Sequence, residues 1–343
     1  MQVDRSAVEE LVIALFEAHG APAGHARTVT AHLLEAGAMG LPSHGLIRVP
    51  QYLGEIEAGE LDPAAVATIE QGGPARLHID GGRGFGQVVG MAMVEAVAPV
   101  AHAEGVAVAT GRRMGHTGRI GAYPEALARH GLLGIVVCSG PRSGHWVAPF
   151  GGREGRMATN PIAFACPVEG GEPIVADFST AMTAEGVIRS LRNRGLLAPE
   201  GFLRDAEGRA TNDPNALYAT PRGAIQPLGG ALGYRGTGLG LLVELLASTL
   251  AGDEIDDPLR VGSNLAMIAI APDSGFGARA ARLAAYVRSS PPIDPGQPVL
   301  LPGDRERAQA ARAGSAFVDD PTWSALTRAA TAAGLTMPAP LEG

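Results

Sequence analysis

The chain of 343 residues contains no lysine, so all 27 of its basic side chains are arginines. A lysine Schiff base, a lysine nucleophile and a Walker-type phosphate loop are thereby excluded. Cysteine is nearly as scarce. Cys138 and Cys166 lie in apolar or small-residue stretches with no metal-ligand or redox spacing, which predicts two buried, reduced thiols and a reducing, cytoplasmic setting. Basic charge is in deficit, with 27 arginines against 35 acidic residues and a net charge of −8. That balance argues against nucleic acid or an anionic membrane as a partner and leaves small anions at a local basic pocket. A spanning segment is missing too, because the run from Leu239 to Leu250 is interrupted by Glu244 and is too short. Residues 1–10 carry Asp4, Glu9 and Glu10 and lack a basic region followed by an apolar core, so no secretory signal is expected.

Several catalytic signatures are also absent. No H-E-x-x-H and no G-x-S-x-G occurs among the residues, which lowers zinc and serine-hydrolase readings and predicts no metal site. The glycines at 81–86 suggest a dinucleotide loop, but the residue three after Gly84 is Gln87. Gly236, Gly238 and Gly240 fail likewise, with Leu241 where the spacing wants glycine. A bound dinucleotide would therefore not use a Rossmann loop, and these glycines read as turns or close packing.

What is present is an ordinary core-forming composition, 46% hydrophobic and 18% charged, in a chain long enough for about two domains. Asp4 can cap a helix carrying Val8, Leu11 and Leu15, and a second helix is expected from Gly24 to Ala38. Pro42 and Ser43 look like the start of a third that ends near Gly59. On it, Leu46, Val49, Leu53 and Ile56 form one stripe, while His44, Arg48 and Tyr52 recur every fourth residue along another. From Arg76 onward short apolar strands at 75–79, 105–109, 133–138, 162–165, 174–177 and 265–270 alternate with helices, including Gln87 to Ala103 and Gly236 to Leu250. The C-terminal tail is helical again, so helices from both chain ends are expected to form one discontinuous domain.

Two segments carry the chemistry. In Gly115-His116-Thr117-Gly118 a histidine stands between a strand end and a helix start, where an anionic ligand is well placed. In Ser43-His44-Gly45-Leu46-Ile47-Arg48 a histidine precedes an arginine by one turn. An arginine fork binds carboxylate bidentately and a histidine exchanges a proton with a carbonyl or hydroxyl.

These two blocks combine in order with Ala158-Thr159-Asn160-Pro161, Asp177-Phe178-Ser179-Thr180, Gly236-Thr237-Gly238-Leu239 and Leu301-Pro302-Gly303-Asp304-Arg305-Glu306. Together they resemble the malate/L-lactate/sulfolactate dehydrogenase family, the non-Rossmann NAD(P)-dependent oxidoreductases that include ureidoglycolate dehydrogenase, diketogulonate reductase and pyrroline or piperideine carboxylate reductases. The resemblance covers nearly the whole chain. It implies an α/β mixed fold: a large mixed β-sheet NAD(P)-binding domain of non-Rossmann type over 75–299, and a helical domain from 1–74 plus 300–343. It also implies a homodimer.

Matched position by position, His44 and His116 are the active-site histidines, with Arg48, Ser43, Tyr52, Thr159 and Asn160 on the substrate side. His116, Asp177, Ser179, Thr180, Tyr234, Arg235, Gly303, Asp304 and Arg305 are the implied NAD(P)H contacts. Arg235 stands where the family usually has lysine, which keeps the charge and changes the reach. The segment from Gly140 to Trp146 matches no subfamily pattern and is expected to line the substrate pocket.

The expected reaction moves a hydride between nicotinamide and a small 2-oxo or 2-hydroxy carboxylate. Arg48 would pair with the carboxylate and His44 or His116 would supply the proton. An unperturbed histidine titrates near 6.5, so reduction is expected to fall above that pH. The alternatives are a cyclic imino acid reductase and a catalytically inactive cofactor-binding protein.

Overall fold

The computed structural model describes residues 1–254 and 262–341. Its helices are α1 (Arg5–Ala18), α2 (Ala23–Ala38), α3 (Val49–Glu57), α4 (Gly86–Glu104), α5 (Ala122–Arg129), α6 (Glu185–Asn193), α7 (Tyr234–Glu244), α8 (Phe276–Arg288), α9 (Asp304–Ala310) and α10 (Asp320–Ala332). The strands are β1 (Gln2–Asp4), β2 (Thr68–Gly73), β3 (Arg76–Asp80), β4 (Val106–Met114), β5 (Leu133–Ser139), β6 (Pro161–Cys166), β7 (Ile174–Ser179), β8 (Leu203–Arg204), β9 (Ala210–Thr211), β10 (Ala224–Ile225), β11 (Ser263–Ile270) and β12 (Ser315–Phe317).

The Asp4 carboxylate accepts the Ala7 N–H at 2.9 Å and so caps α1, a contact typically worth about 1 kcal/mol. The apolar stripe of α1 then meets α2, α3 and α10 in one core that holds Val8, Phe16, Leu33, Tyr52 and Leu326. β1 pairs antiparallel with β12, so the two chain ends share this core.

Seven strands form the main sheet in the order β2-β3-β4-β11-β5-β6-β7. Only β3 and β4 run parallel, and α4 makes the crossover between them. Central β11 is apolar almost throughout, as a strand covered on both faces must be. On one face α4 and α5 bury Val89, Met93, Val97, Tyr123 and Leu127 against it. On the other, Val243 and Ala247 pack on Val137 and Ala266. A small sheet, β10-β8-β9, packs with α6 around Ile188, Leu203 and Ile225.

Three local expectations are corrected. The helix expected from Pro42 is two 3-10 turns, Pro42–His44 and Leu46–Arg48, separated at Gly45, and the α-helix begins only at Val49. Pro50 is the reason: it lacks an N–H, and its ring collides with the carbonyl four residues back, so it tolerates only a helix's first turn. The apolar run after Gly236 is α-helical only to Glu244 and continues as a π-turn over Leu245–Thr249. Cys138 is buried and reduced as expected, but Cys166 is only half-buried.

Gly86, at the first position of α4, explains one of the glycine clusters. A Cβ there would lie 2.4 Å from the Gly115 carbonyl oxygen and 2.6 Å from that of His116. Its absence lets α4 press against the loop that carries His116. Gly86→Ala should therefore push that loop outward and destabilise the fold by about 1 to 3 kcal/mol, to be read from urea unfolding midpoints.

Candidate active site

The loop after β4 turns sharply, with Gly118 at φ +66°. A Cβ at this position would sit 2.5 Å from His32 Nε2, so glycine is needed for both backbone and space. Tyr123, on α5, donates to the Thr117 carbonyl at 2.5 Å and holds the loop from behind. Facing it, the two 3-10 turns and α3 deliver Ser43, His44, Arg48 and Tyr52. The rings of His44 and His116 stack with centroids 5.7 Å apart. The Tyr52 hydroxyl meets His116 Nδ1 at 2.7 Å, and the Ser43 hydroxyl meets His44 Nδ1 at 3.0 Å.

Arg48, one turn along the same segment, is buried. Its Nε donates to the Ser43 carbonyl at 2.7 Å and its Nη1 to Gln51 Oε1 at 2.6 Å, and the Gln51 amide donates onward to Glu55 at 2.8 Å. Among the described residues Nη2 has no partner. A Cβ on Gly186, in the first turn of α6, would come 3.3 Å from Nη2 and 2.9 Å from the Ser43 Cβ, so glycine at this position keeps the guanidinium uncrowded. A cavity of about 330 Å³ adjoins His116, lined also by Gln51, Glu55, Arg83, Pro141 and Ser143. The 140–146 segment thus divides: Pro141 and Ser143 reach this cavity, while Trp146 packs on Tyr218 and under the Arg222 guanidinium.

Both imidazoles are held neutral. Burial comes first as the cause for His44, followed by the charges of Arg48 and Arg119, and its pKa is lowered to about 4. His116 is lowered well below 6.5, again by burial first and by Arg48 second. The expected midpoint near 6.5 is corrected accordingly, since a positive neighbour and lost water both disfavour the imidazolium. Protonation of Nδ1 in His116 is opposed further by the Gly118 N–H, which points at that nitrogen from 3.3 Å. Nδ1 is therefore an acceptor, and the neutral ring carries its proton on Nε2.

A second cavity, of about 580 Å³, is lined by Arg119, Phe164, Asp177, Phe178, Gly303 and Arg305. Gly303 has φ +89°, and a Cβ there would lie 3.0 Å from the Val175 carbonyl, so the backbone forms a close-set wall. Aromatic edges beside an arginine and a bare backbone suit a flat ring joined to phosphate. The residues present therefore fit a dinucleotide. Asp177 also accepts the Gly121 N–H at 2.8 Å.

Other residues singled out from the sequence are already engaged. Ser179 and Thr180 donate to the Thr159 carbonyl at 2.8 and 3.2 Å. Buried Asn160 spans from β6 to α7, donating to the Gly240 carbonyl and to Glu244 at 2.9 and 3.0 Å. Asp304 accepts from Arg288, Arg307 and the Leu301 N–H. Tyr234 and Arg235 stand together at the start of α7, with Arg235 Nε 3.2 Å from the tyrosine oxygen. Sequence reading missed Gln51, Gln87 and Gly186; of these, Gln87 alone gives a signal, as a polar residue in the first turn of the apolar helix α4.

The family model for malate/L-lactate dehydrogenase matches residues 3–327 of this chain. The chain belongs to that family. It is similar to the L-lactate dehydrogenase of Cupriavidus necator, with 33% identity over 98% of this chain and 99% of the relative. It is also 32% identical to the NAD(+)-dependent ureidoglycolate dehydrogenase of Escherichia coli O157:H7, over 93% of each. Among solved structures, the Δ1-piperideine-2-carboxylate reductase of Pseudomonas syringae pathovar tomato superposes with a TM-score of 0.83 at 29% identity, covering 96% of this chain and 99% of that one. The protein is an enzyme, an NAD(P)-dependent oxidoreductase.

Because the Arg48 charge opposes the imidazolium, Arg48→Met should raise the His44 midpoint from about 4 toward 6.5, as read by NMR titration of the ring proton. Folding should also weaken as pH falls through the same window in the unaltered enzyme. The unfolded chain takes up the proton near 6.5 and the folded one only near 4, so protonation favours unfolding.

Proposed function

We propose that the enzyme interconverts a small 2-oxo carboxylate and its 2-hydroxy acid, with His116 as the proton donor in reduction. One observation carries this reading: buried Arg48, whose Nη2 has no partner among the described residues, is bonded to Gln51, which lines the same cavity as the neutral imidazole of His116. The guanidinium binds the substrate carboxylate, which fixes the adjacent carbonyl oxygen toward His116. His44, stacked on His116 and bonded to Ser43, closes the other side of the substrate. The NAD(P)H nicotinamide supplies or receives the hydride when bound. Asp177, Gly303 and Arg305 are the residues that would hold the cofactor, with Ser179, Thr180, Tyr234, Arg235 and Asp304 framing its edge. As charge builds on the substrate oxygen, the Nε2–H bond strengthens and the proton passes across.

The same donor serves an imine nitrogen, and the likeness to the piperideine carboxylate reductase makes cyclic imino acids the second reading. The helical unit formed by both chain ends supplies the substrate groups and the sheet supplies the cofactor wall. Leu241, Leu242 and Leu245 are exposed along α7 and its π-turn, an apolar stripe suited to a second copy of the chain, so a homodimer is the assembly we favour. Among the described residues no helix is long and apolar enough to cross a membrane. The reduced cysteines and acidic charge balance favour a cytoplasmic enzyme with no nucleic-acid partner.

The test is oxidation of NADH or NADPH against panels of 2-oxo acids and cyclic imino acids. Turnover with oxo acids is expected; turnover with imino acids alone would replace the first reading by the second. His116→Asn should lower the rate by about 10² to 10⁴, and Arg48→Ala should weaken substrate binding by about 2 to 5 kcal/mol. With His116 neutral throughout, single-turnover reduction should stay level between pH 6 and 8, where an ordinary histidine would lose its proton; a decline through that range would show that the imidazolium is the donor.

A further inference from the structure

Gln87 is the second residue of α4, and none of its surface reaches solvent. Its Nε2 lies 2.8 Å from the Tyr52 hydroxyl, and its Oε1 has no partner among the described residues. Leaving a buried amide oxygen unpaired is destabilising, and a hydrocarbon side chain of the same shape avoids that cost. Packing alone therefore gives no reason for glutamine at this position.

The reason lies in the direction of the hydrogen bonds. The Gly118 N–H belongs to the backbone and can only donate, so His116 Nδ1, 3.3 Å away, must accept. The Tyr52 hydroxyl, 2.7 Å from the same nitrogen, must then donate its single proton there. Its oxygen is left to accept, and the group facing it at 2.8 Å must be the NH₂ end of Gln87. The order Gln87 N–H to Tyr52, Tyr52 O–H to His116 Nδ1, His116 Nε2–H to the cavity follows without choosing any amide orientation or ring tautomer beforehand.

We propose that Gln87 is a positioning residue which, through Tyr52, reinforces the His116 tautomer that the Gly118 N–H also favours and supports a two-proton relay during reduction. This rests on the reading of His116 as proton donor. As hydride forms the new C–H bond, the substrate oxygen takes the Nε2 proton, and the Tyr52 O–H bond breaks to give Nδ1 its proton. The tyrosine is left as a phenolate accepting the Gln87 N–H, and solvent protons restore it after product leaves. Burial, the largest influence, and the Glu55 charge oppose that phenolate and raise the Tyr52 pKa, while the Arg48 charge and the Gln87 hydrogen bond partly offset them.

The experiment pairs ¹⁵N NMR of the histidine rings in the whole, ligand-free enzyme with single-turnover reduction at saturating oxo acid. In the unaltered enzyme His116 should appear as the Nε2–H tautomer. Gln87→Leu removes the donor to Tyr52 but leaves Gly118 in place, so the tautomer should become mixed and the rate should fall by about tenfold. Thermal stability should hold or rise, because a buried unpaired oxygen is lost. Gln87→Glu should be worse: the new carboxylate takes the Tyr52 proton, the tyrosine oxygen then favours Nδ1–H, and the wrong tautomer should lower the rate by about 10³ or more.

In a Tyr52→Phe background, where the relay is already cut, Gln87→Leu should change the rate no further. An unchanged tautomer in both Gln87 variants, an unchanged rate, or equal losses with and without Tyr52 would overturn the proposal. His116→Asn at full rate would instead overturn the proton-donor reading, while the NMR comparison still decides whether Gln87 sets the tautomer.

Discussion

Arg48 carries a permanent positive charge into a space from which most water is excluded, and the neighbouring groups are arranged around that fact. Its guanidinium is held at two points by the Ser43 carbonyl and Gln51, which satisfies part of the fork and leaves the rest for an anion. Burial first, and this charge second, keep both stacked imidazoles neutral. Two uncharged rings over a cation can sit 5.7 Å apart without the repulsion that two imidazoliums would bring. Arrival of a substrate carboxylate would cancel much of the field, so binding and proton chemistry are coupled through one side chain.

Chain geometry around this charge is set largely by missing side-chain atoms. Gly86 lets α4 reach the His116 loop, Gly118 lets that loop turn beside His32, and Gly186 leaves α6 room beside Arg48. These contacts join the core shared by the chain ends to the main sheet and to the small lobe. The substrate side of the site is built where the three meet, so its precision depends on packing between them. Buried Arg119 adds a charged tie across the same region, 2.8 Å from Glu125 and 3.8 Å from Glu35.

The dinucleotide question shows why a failed motif is informative. A Rossmann loop cradles phosphate between a strand and the helix that follows it; here Gly86 packs against the His116 loop and Gly81 against the end of β4. The cavity suited to a cofactor lies instead between β6–β7 and the Gly303 turn before α9. The sheet agrees, since among the described residues β3 and β4 are its only parallel pair.

Much of the fold was legible from the chain itself. The capped α1, the strand runs and the order of helices follow from periodicities that depend on near neighbours, and His44, Arg48 and His116 stood out because two histidines and an arginine occurred in motif-like company. The third helix was misread because Pro50 was not weighed against an apolar stripe that continues through it. What only the tertiary structure decided is the polarity of the site: which nitrogen of His116 holds the proton, how far the imidazole pKa values fall, and that Gln87, 35 positions from Tyr52 along the chain, donates to its hydroxyl. Those properties depend on burial and on donor–acceptor direction between segments remote in sequence, and no local pattern of residue types records either.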